Sequence, residues 1–281
     1  MSYHPIGVFD SGFGGLTVLR EIERALPQYD FLYFGDNAHA PYGTRSFEIV
    51  HAYTLNAVQW LFQQGSYLVI LACNTASAKA LRTIQQKDLP RMAPDRRVLG
   101  VIRPVTESVG AMTQSGHVGI LATSGTVASR SYVIEINKYF PKLTVVQEAC
   151  PMWVPLVENN ECDNEGADYF IRRHLDRLLA ADGEIDTIIL ACTHYPLLQK
   201  RIRNFLPDDI ELVSQGSIVA RSLADYLSRH DEMAKACSQQ GRRDFYSSEK
   251  TEIFDRTAAL FYGREIRSRA KPGGVHFQSP F

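Results

Sequence analysis

Short apolar runs recur along this chain. Each is followed by small polar or glycine residues, and then by apolar positions three and four apart, the alternation expected of strand, loop and helix units. Ile6-Gly7-Val8-Phe9 leads into Asp10-Ser11-Gly12-Phe13-Gly14-Gly15; Val18, Leu19, Ile22 and Leu26 then mark one face of a helix that Pro27 closes. The pattern predicts further strands at 31–34, 67–71 and 98–102, with helices over 46–64, closed by Gly65, and 76–86. Pro104 is placed to open another helix. A second series predicts strands at 117–122, 143–147, 187–190 and 211–213, and helices from 127 to 140, 165 to 181, 196 to 205 and 217 to 228. Residues 151–161, with Glu158, read as a loop or short helix, 231–243 as a polar linker, and the basic stretch from 264 as a loose tail. Apolar residues at 244–246 and 254–261 predict a segment that packs back onto a domain.

Strands alternating with helices imply α/β architecture with mainly parallel sheets. The two series are also alike internally. Gly7-Val8-Phe9-Asp10-Ser11-Gly12 has a counterpart in Gly119-Ile120-Leu121-Ala122-Thr123-Ser124-Gly125, and Ile70-Leu71-Ala72-Cys73 in Ile189-Leu190-Ala191-Cys192. Two similar domains are therefore expected, 1–104 joined by 218–281, and 105–217, with a cleft between them.

Ligands of parallel sheets bind beyond the carboxyl ends of the strands. The residues predicted there are Asp10, Ser11, Asp36, Tyr42, Gly43, Cys73, Asn74, Thr75, Thr123, Thr126, Cys192, Thr193 and His194. Thiols, carboxylates and small hydroxyls with little aromatic surface suit a small, charged ligand such as an amino acid. A thiol at a helix N-terminus is expected to have a lowered pKa. Two of them facing one cleft can remove a proton from one face of a small molecule and return one to the other. His194 stands two residues beyond Cys192 to bias its protonation, and Asp10 can do the same beside Cys73. Each residue also has a plainer reading: a lone cysteine at a strand end is commonly a small buried apolar residue, Asp10-Ser11-Gly12 a turn, Glu158 a solvated carboxylate. The repetition of Leu-Ala-Cys is what favours chemistry.

Composition narrows the alternatives. At 281 residues, 45% hydrophobic and 22% charged, the chain has an ordinary globular make-up. A net charge of −1 leaves no basic footprint for nucleic acid, and no apolar run is long enough to span a membrane. Five cysteines without a disulfide-like spacing, and no signal-peptide pattern at the start, predict reduced thiols and a cytoplasmic location. A nucleotide loop at Gly12-Phe13-Gly14-Gly15 is disfavoured because Thr17 occupies the third glycine position of that fingerprint. A zinc site at Cys73, Cys192 and His194 lacks the usual paired spacing.

Five stretches in this order, Phe9-Asp10-Ser11-Gly12-Phe13-Gly14-Gly15-Leu16, Pro41-Tyr42-Gly43, Ala72-Cys73-Asn74-Thr75-Ala76-Ser77, Pro155-Leu156-Val157-Glu158 and Cys192-Thr193-His194-Tyr195-Pro196-Leu197, resemble the cofactor-independent glutamate racemases of the aspartate/glutamate racemase superfamily. The resemblance implies two pseudo-symmetric domains and interconversion of L- and D-glutamate without pyridoxal phosphate or metal. It implies Cys73 and Cys192 as the proton-transfer pair, assisted by Asp10 and His194, with Asp36 and Glu158 as acidic pocket positions. Ser11, Tyr42, Gly43, Asn74, Thr75, Thr123, Thr126 and Thr193 become substrate-holding positions. Supply of D-glutamate for peptidoglycan and a homodimer are also implied. The sequence departs from the family pattern at Arg103, and in the length of its tail after Gly263.

Overall fold

The structure, a computed structural model, describes residues 3–272; Met1, Ser2 and the last part of the basic tail lie outside the described residues. Among the described residues, ten strands form two wholly parallel sheets. The first contains β1 (Ile6–Asp10), β2 (Phe31–Gly35), β3 (Leu68–Leu71), β4 (Arg97–Gly100), β9 (Arg243–Ser247) and β10 (Ser268–Ala270), in the order β10-β9-β2-β1-β3-β4. The second contains β5 (His117–Ala122), β6 (Thr144–Ala149), β7 (Thr187–Ala191) and β8 (Glu211–Ser214), in the order β6-β5-β7-β8.

The order 6-5-7-8 repeats the order 2-1-3-4, so the internal likeness of the sequence is a likeness of topology. In each half the chain reverses direction across the sheet between its first and third strands, and such a switch point opens a crevice at the carboxyl ends. Asp10 and Cys73 lie at that point in one sheet, Thr123 and Cys192 in the other.

Central strands β1, β2, β3 and β7 are buried at every position, as expected of parallel strands covered on both faces. Truncating a fully buried leucine of these strands, such as Leu71 or Leu190, to alanine costs about 2–5 kcal/mol. Helices Gly15–Ala25 and Gly216–Arg229 pack on one another and join the two halves.

Several elements differ from the sequence expectation. The strand expected at 98–102 ends at Gly100, and Ile102 already begins the helix Ile102–Ser108, with Pro104 in its first turn. The helix expected over 127–140 is two, Ser124–Ser129 and Ser131–Tyr139, parted by Arg130 at φ +55°. The helix expected at 76–86 starts at Asn74, immediately after Cys73, and continues in broken turns to Met92. The supposed linker holds a helix, Asp231–Ala236, because Met233 and Cys237 find the core four residues apart. The tail is not loose as far as residue 272. Its Ser268–Ala270 adds β10 to the open edge of β9, with Ile266 buried beneath.

Candidate active site

Cys73 follows β3 and caps the helix Asn74–Lys79, its sulfur accepting the Ala76 N–H at 3.4 Å. Ser11 Oγ lies 3.4 Å from the same sulfur. The position matches the sequence reading, but the electrostatics do not. Burial first, then the nearby Asp10 carboxylate, push the Cys73 thiol up to about 12, and the contacts with Ser11 and Ala76 only partly offset this. One short helix does not overcome removal from water. Cys192 also contributes to the rise, so the two sulfurs lie within electrostatic reach of each other.

Asp10, at the end of β1, is fully buried. Its Oδ2 accepts the Gly12 N–H at 2.9 Å, whereas Oδ1 has no hydrogen-bond partner. Burial raises its pKa against the lowering influence of His194. An orphaned buried carboxylate oxygen is costly, and it is the group of this site best suited to meet a cationic donor such as an ammonium.

The second thiol has different company. Cys192 follows β7, and its sulfur is 3.9 Å from His194 Nδ1, while His194 Nε2 contacts Glu158 Oε1 at 2.9 Å. Glu158 is delivered by the helix Trp153–Glu158. Burial alone would lower the His194 pKa. The hydrogen bonds to Cys192 and Glu158, and the charges beside it, outweigh burial and hold it up at about 10. These contacts favour the charged imidazole.

The two halves meet at these residues. A Cβ on Gly14 would come within 2.2 Å of Thr193 Oγ1 and 2.5 Å of His194 Nδ1, so only glycine lets the first loop close on the second. Thr17 Oγ1 donates to the Thr193 carbonyl at 3.0 Å. Thr75 and Thr123 hydroxyls are 3.0 Å apart, and Thr123 in turn contacts the Thr126 hydroxyl at 3.1 Å. Gly43 packs against Thr123, and a Cβ on Gly125 would lie 2.6 Å from the Gly43 carbonyl. Tyr42 donates to Asp36 Oδ2 at 2.6 Å, and His39 contacts Asp36 Oδ1 at 2.8 Å, so both Asp36 oxygens have protein partners.

All fourteen residues singled out in the sequence thus lie along the facing ends of the two sheets. Asn74 is engaged more deeply than expected: its amide is bound by Gln215 and Tyr132 of the other half. Sequence reading missed Thr17 and Tyr132, which sit inside ordinary helical patterns, and Gln215, a polar residue between β8 and the next helix. Arg103 lies away from the thiols, paired with Glu107 at 2.6 Å on the wall of a cavity of about 1160 Å³ that neither cysteine lines. Among the described residues no three His, Cys, Asp or Glu side chains converge as metal ligands, and no helix is long and apolar enough to cross a membrane.

Residues 6–223 match the family model described as Asp/Glu/Hydantoin racemase. The chain is 41% identical over 267 residues to a glutamate racemase of Geobacter metallireducens, covering 95% of each chain. It is 36% identical to that of Streptococcus gordonii, over 95% of this chain and 97% of the other. Among solved structures it resembles glutamate racemase isoform RacE1 of Bacillus anthracis, with TM-score 0.88 and 32% identity over 98% of this chain and 100% of that one. It also resembles the Francisella tularensis glutamate racemase in complex with D-glutamate, with TM-score 0.83 and 28% identity over 96% and 97%. Two parallel sheets in repeated order and matches over nearly the whole length converge: this chain belongs to the Asp/Glu/Hydantoin racemase family and is an isomerase.

Proposed function

We propose that this protein interconverts L- and D-glutamate by proton transfer at the α-carbon, with Cys73 and Cys192 acting from opposite faces and no cofactor. The observation that carries the reading is the pairing of equivalent strand ends: β3 and β7 each deliver a buried thiol, the two within electrostatic reach, with unlike charged partners. One thiolate removes the α-proton, and the thiol across the cleft returns a proton to the other face. The opposite enantiomer uses the pair in reverse. His194 supplies Cys192 with the positive partner a thiolate needs, and Glu158 orients His194. Asp10 Oδ1 accepts from the substrate ammonium, a contact that neutralises the carboxylate now opposing a thiolate at Cys73. Ser11, Asn74, Thr75, Thr123, Thr126 and Thr193 hold the two carboxylates, while Asp36, Tyr42 and Gly43 shape the pocket beside Cys73.

Glutamate as substrate is supported by relatives named glutamate racemase and by the Francisella tularensis complex with D-glutamate. The same reading carries a division into 1–104 with 218–281 and 105–217, a homodimer, a cytoplasmic location and supply of D-glutamate for peptidoglycan; light scattering of the purified protein tests the dimer. Circular dichroism of L-glutamate and, separately, L-aspartate, incubated with reduced protein and no pyridoxal phosphate or metal, tests the activity. Decay of the glutamate signal to zero supports it. Decay with aspartate alone contradicts the substrate, and no decay with either contradicts the reaction.

A further inference from the structure

Three fully buried polar side chains bridge the halves beside Cys73. Asn74, the first residue of the helix that Cys73 caps, comes from the first half; Tyr132, in the helix Ser131–Tyr139, and Gln215, following β8, come from the second. Tyr132 OH donates to Asn74 Oδ1 at 2.7 Å, and Gln215 Nε2 donates to the same oxygen at 3.2 Å and to the Tyr132 hydroxyl. Asn74 Nδ2 donates back to Gln215 Oε1 at 2.8 Å.

An amide has two N–H donors and an oxygen with room for two acceptances. Here the Asn74 oxygen is filled by Tyr132 and Gln215, and one of its N–H groups is taken by Gln215. Among the described residues, no protein group takes the other N–H. Flipping Asn74 alone would set its N–H against the N–H of Gln215 at a buried position, which disfavours it while Gln215 keeps its orientation. We infer that Gln215 and Tyr132 are positioning residues: they lock the Asn74 amide in one orientation, so that its remaining N–H serves as donor to a substrate carboxylate. The inference rests on the racemase reading and adds to it how the second half sets a contact made by the first.

Steady-state kinetics with L-glutamate on the full chain test this, using Gln215→Met, Tyr132→Phe, Asn74→Ala and the double variant Asn74→Ala/Gln215→Met. Loss of one ordered hydrogen bond to a carboxylate predicts KM raised about tenfold in Gln215→Met, with kcat within about threefold. Because Gln215 acts through Asn74, adding Gln215→Met to Asn74→Ala leaves KM where Asn74→Ala put it. An unchanged KM in Gln215→Met, or effects that multiply in the double variant, overturns the inference. Should Gln215→Met not fold, Tyr132→Phe keeps the ring, loses only the hydroxyl, and is expected to raise KM about threefold; an unchanged KM there overturns it equally. Wild-type protein that neither turns over nor binds glutamate overturns the racemase reading itself, and the donor role of Asn74 with it.

Discussion

Cys73 and Cys192 occupy equivalent places in two similar half-folds, yet their surroundings carry opposite signs. Around Cys73 burial and then the Asp10 carboxylate push the thiol up to about 12. Around Cys192 it is His194, whose pKa is raised by its contacts with Cys192 and Glu158. Repetition of a fold therefore positions the two sulfurs alike, while a residue two places on at Cys192 and a residue from the adjacent strand at Cys73 make them chemically unlike. In the mechanism proposed above, the substrate's ammonium offsets Asp10 and so removes one of the two main causes of the rise, burial being the larger. A raised thiol alone is no mark of function: Cys237, in plain core packing, is pushed up to about 12 by burial alone. What sets Cys73 and Cys192 apart from Cys237 is the charged group beside each.

The comparison is broken most severely by removing the sulfurs. Cys73→Ala and Cys192→Ala are each expected to lower racemisation at least about 10³-fold in both directions, with far-ultraviolet circular dichroism unchanged. Substantial turnover by either one rejects the two-thiol account. Next, His194→Asn is expected to lower kcat about 10²-fold and Glu158→Gln about tenfold, because the first removes the cation and the second only its anchor. The same pair gives a pH signature. The folded pKa of His194, about 10, lies above the ordinary 6.5. Its stabilising contribution is thus complete below about pH 6.5 and is lost as pH rises through about 10. Thermal melts of wild type between pH 7 and 10 should fall relative to His194→Asn; parallel curves contradict a charged His194. Gly14→Ala places a methyl against Thr193 and His194 and is expected to cost about 1–3 kcal/mol in denaturant unfolding. The smallest effect sharpens the other side. Asp10→Asn should bring the Cys73 titration partway down, followed as thiolate absorbance against the same variant lacking Cys73, and only partway because burial is the larger cause.

The sequence carried the architecture well where apolar runs are long and fully buried. Strands β1, β2, β3, β5 and β7 were legible because a strand covered on both faces must be apolar throughout. β10 was not, since Ser268, Arg269 and Ala270 have no apolar signal of their own; they are drafted by the unpaired edge of β9. Met233 and Cys237 carried a readable four-residue spacing inside a polar stretch, and that signal was overlooked. The break at Arg130 leaves no mark, because nothing in its side chain requires a left-handed backbone.

For the site, the repeated Leu-Ala-Cys stretches gave both thiols, and His194 followed from its nearness to Cys192. The partnership of His194 with Glu158 spans 36 positions and became visible only in three dimensions. The direction of the Cys73 shift was misjudged for a physical reason. Helix position can be read from neighbours in sequence, whereas burial and the approach of Asp10 from an adjacent strand cannot. Gln215 and Tyr132 were invisible on the same ground, each being an ordinary polar residue until folding sets it on Asn74.

The central claim, two groups acting on opposite faces, is tested most directly by following the α-proton by NMR during early conversion of L-glutamate in D₂O. The account predicts deuterium in the D-glutamate formed while unreacted L-glutamate keeps its proton, with the mirror result starting from D-glutamate. Deuterium entering the starting enantiomer as fast as the product would mean that one group serves both faces, and would contradict it.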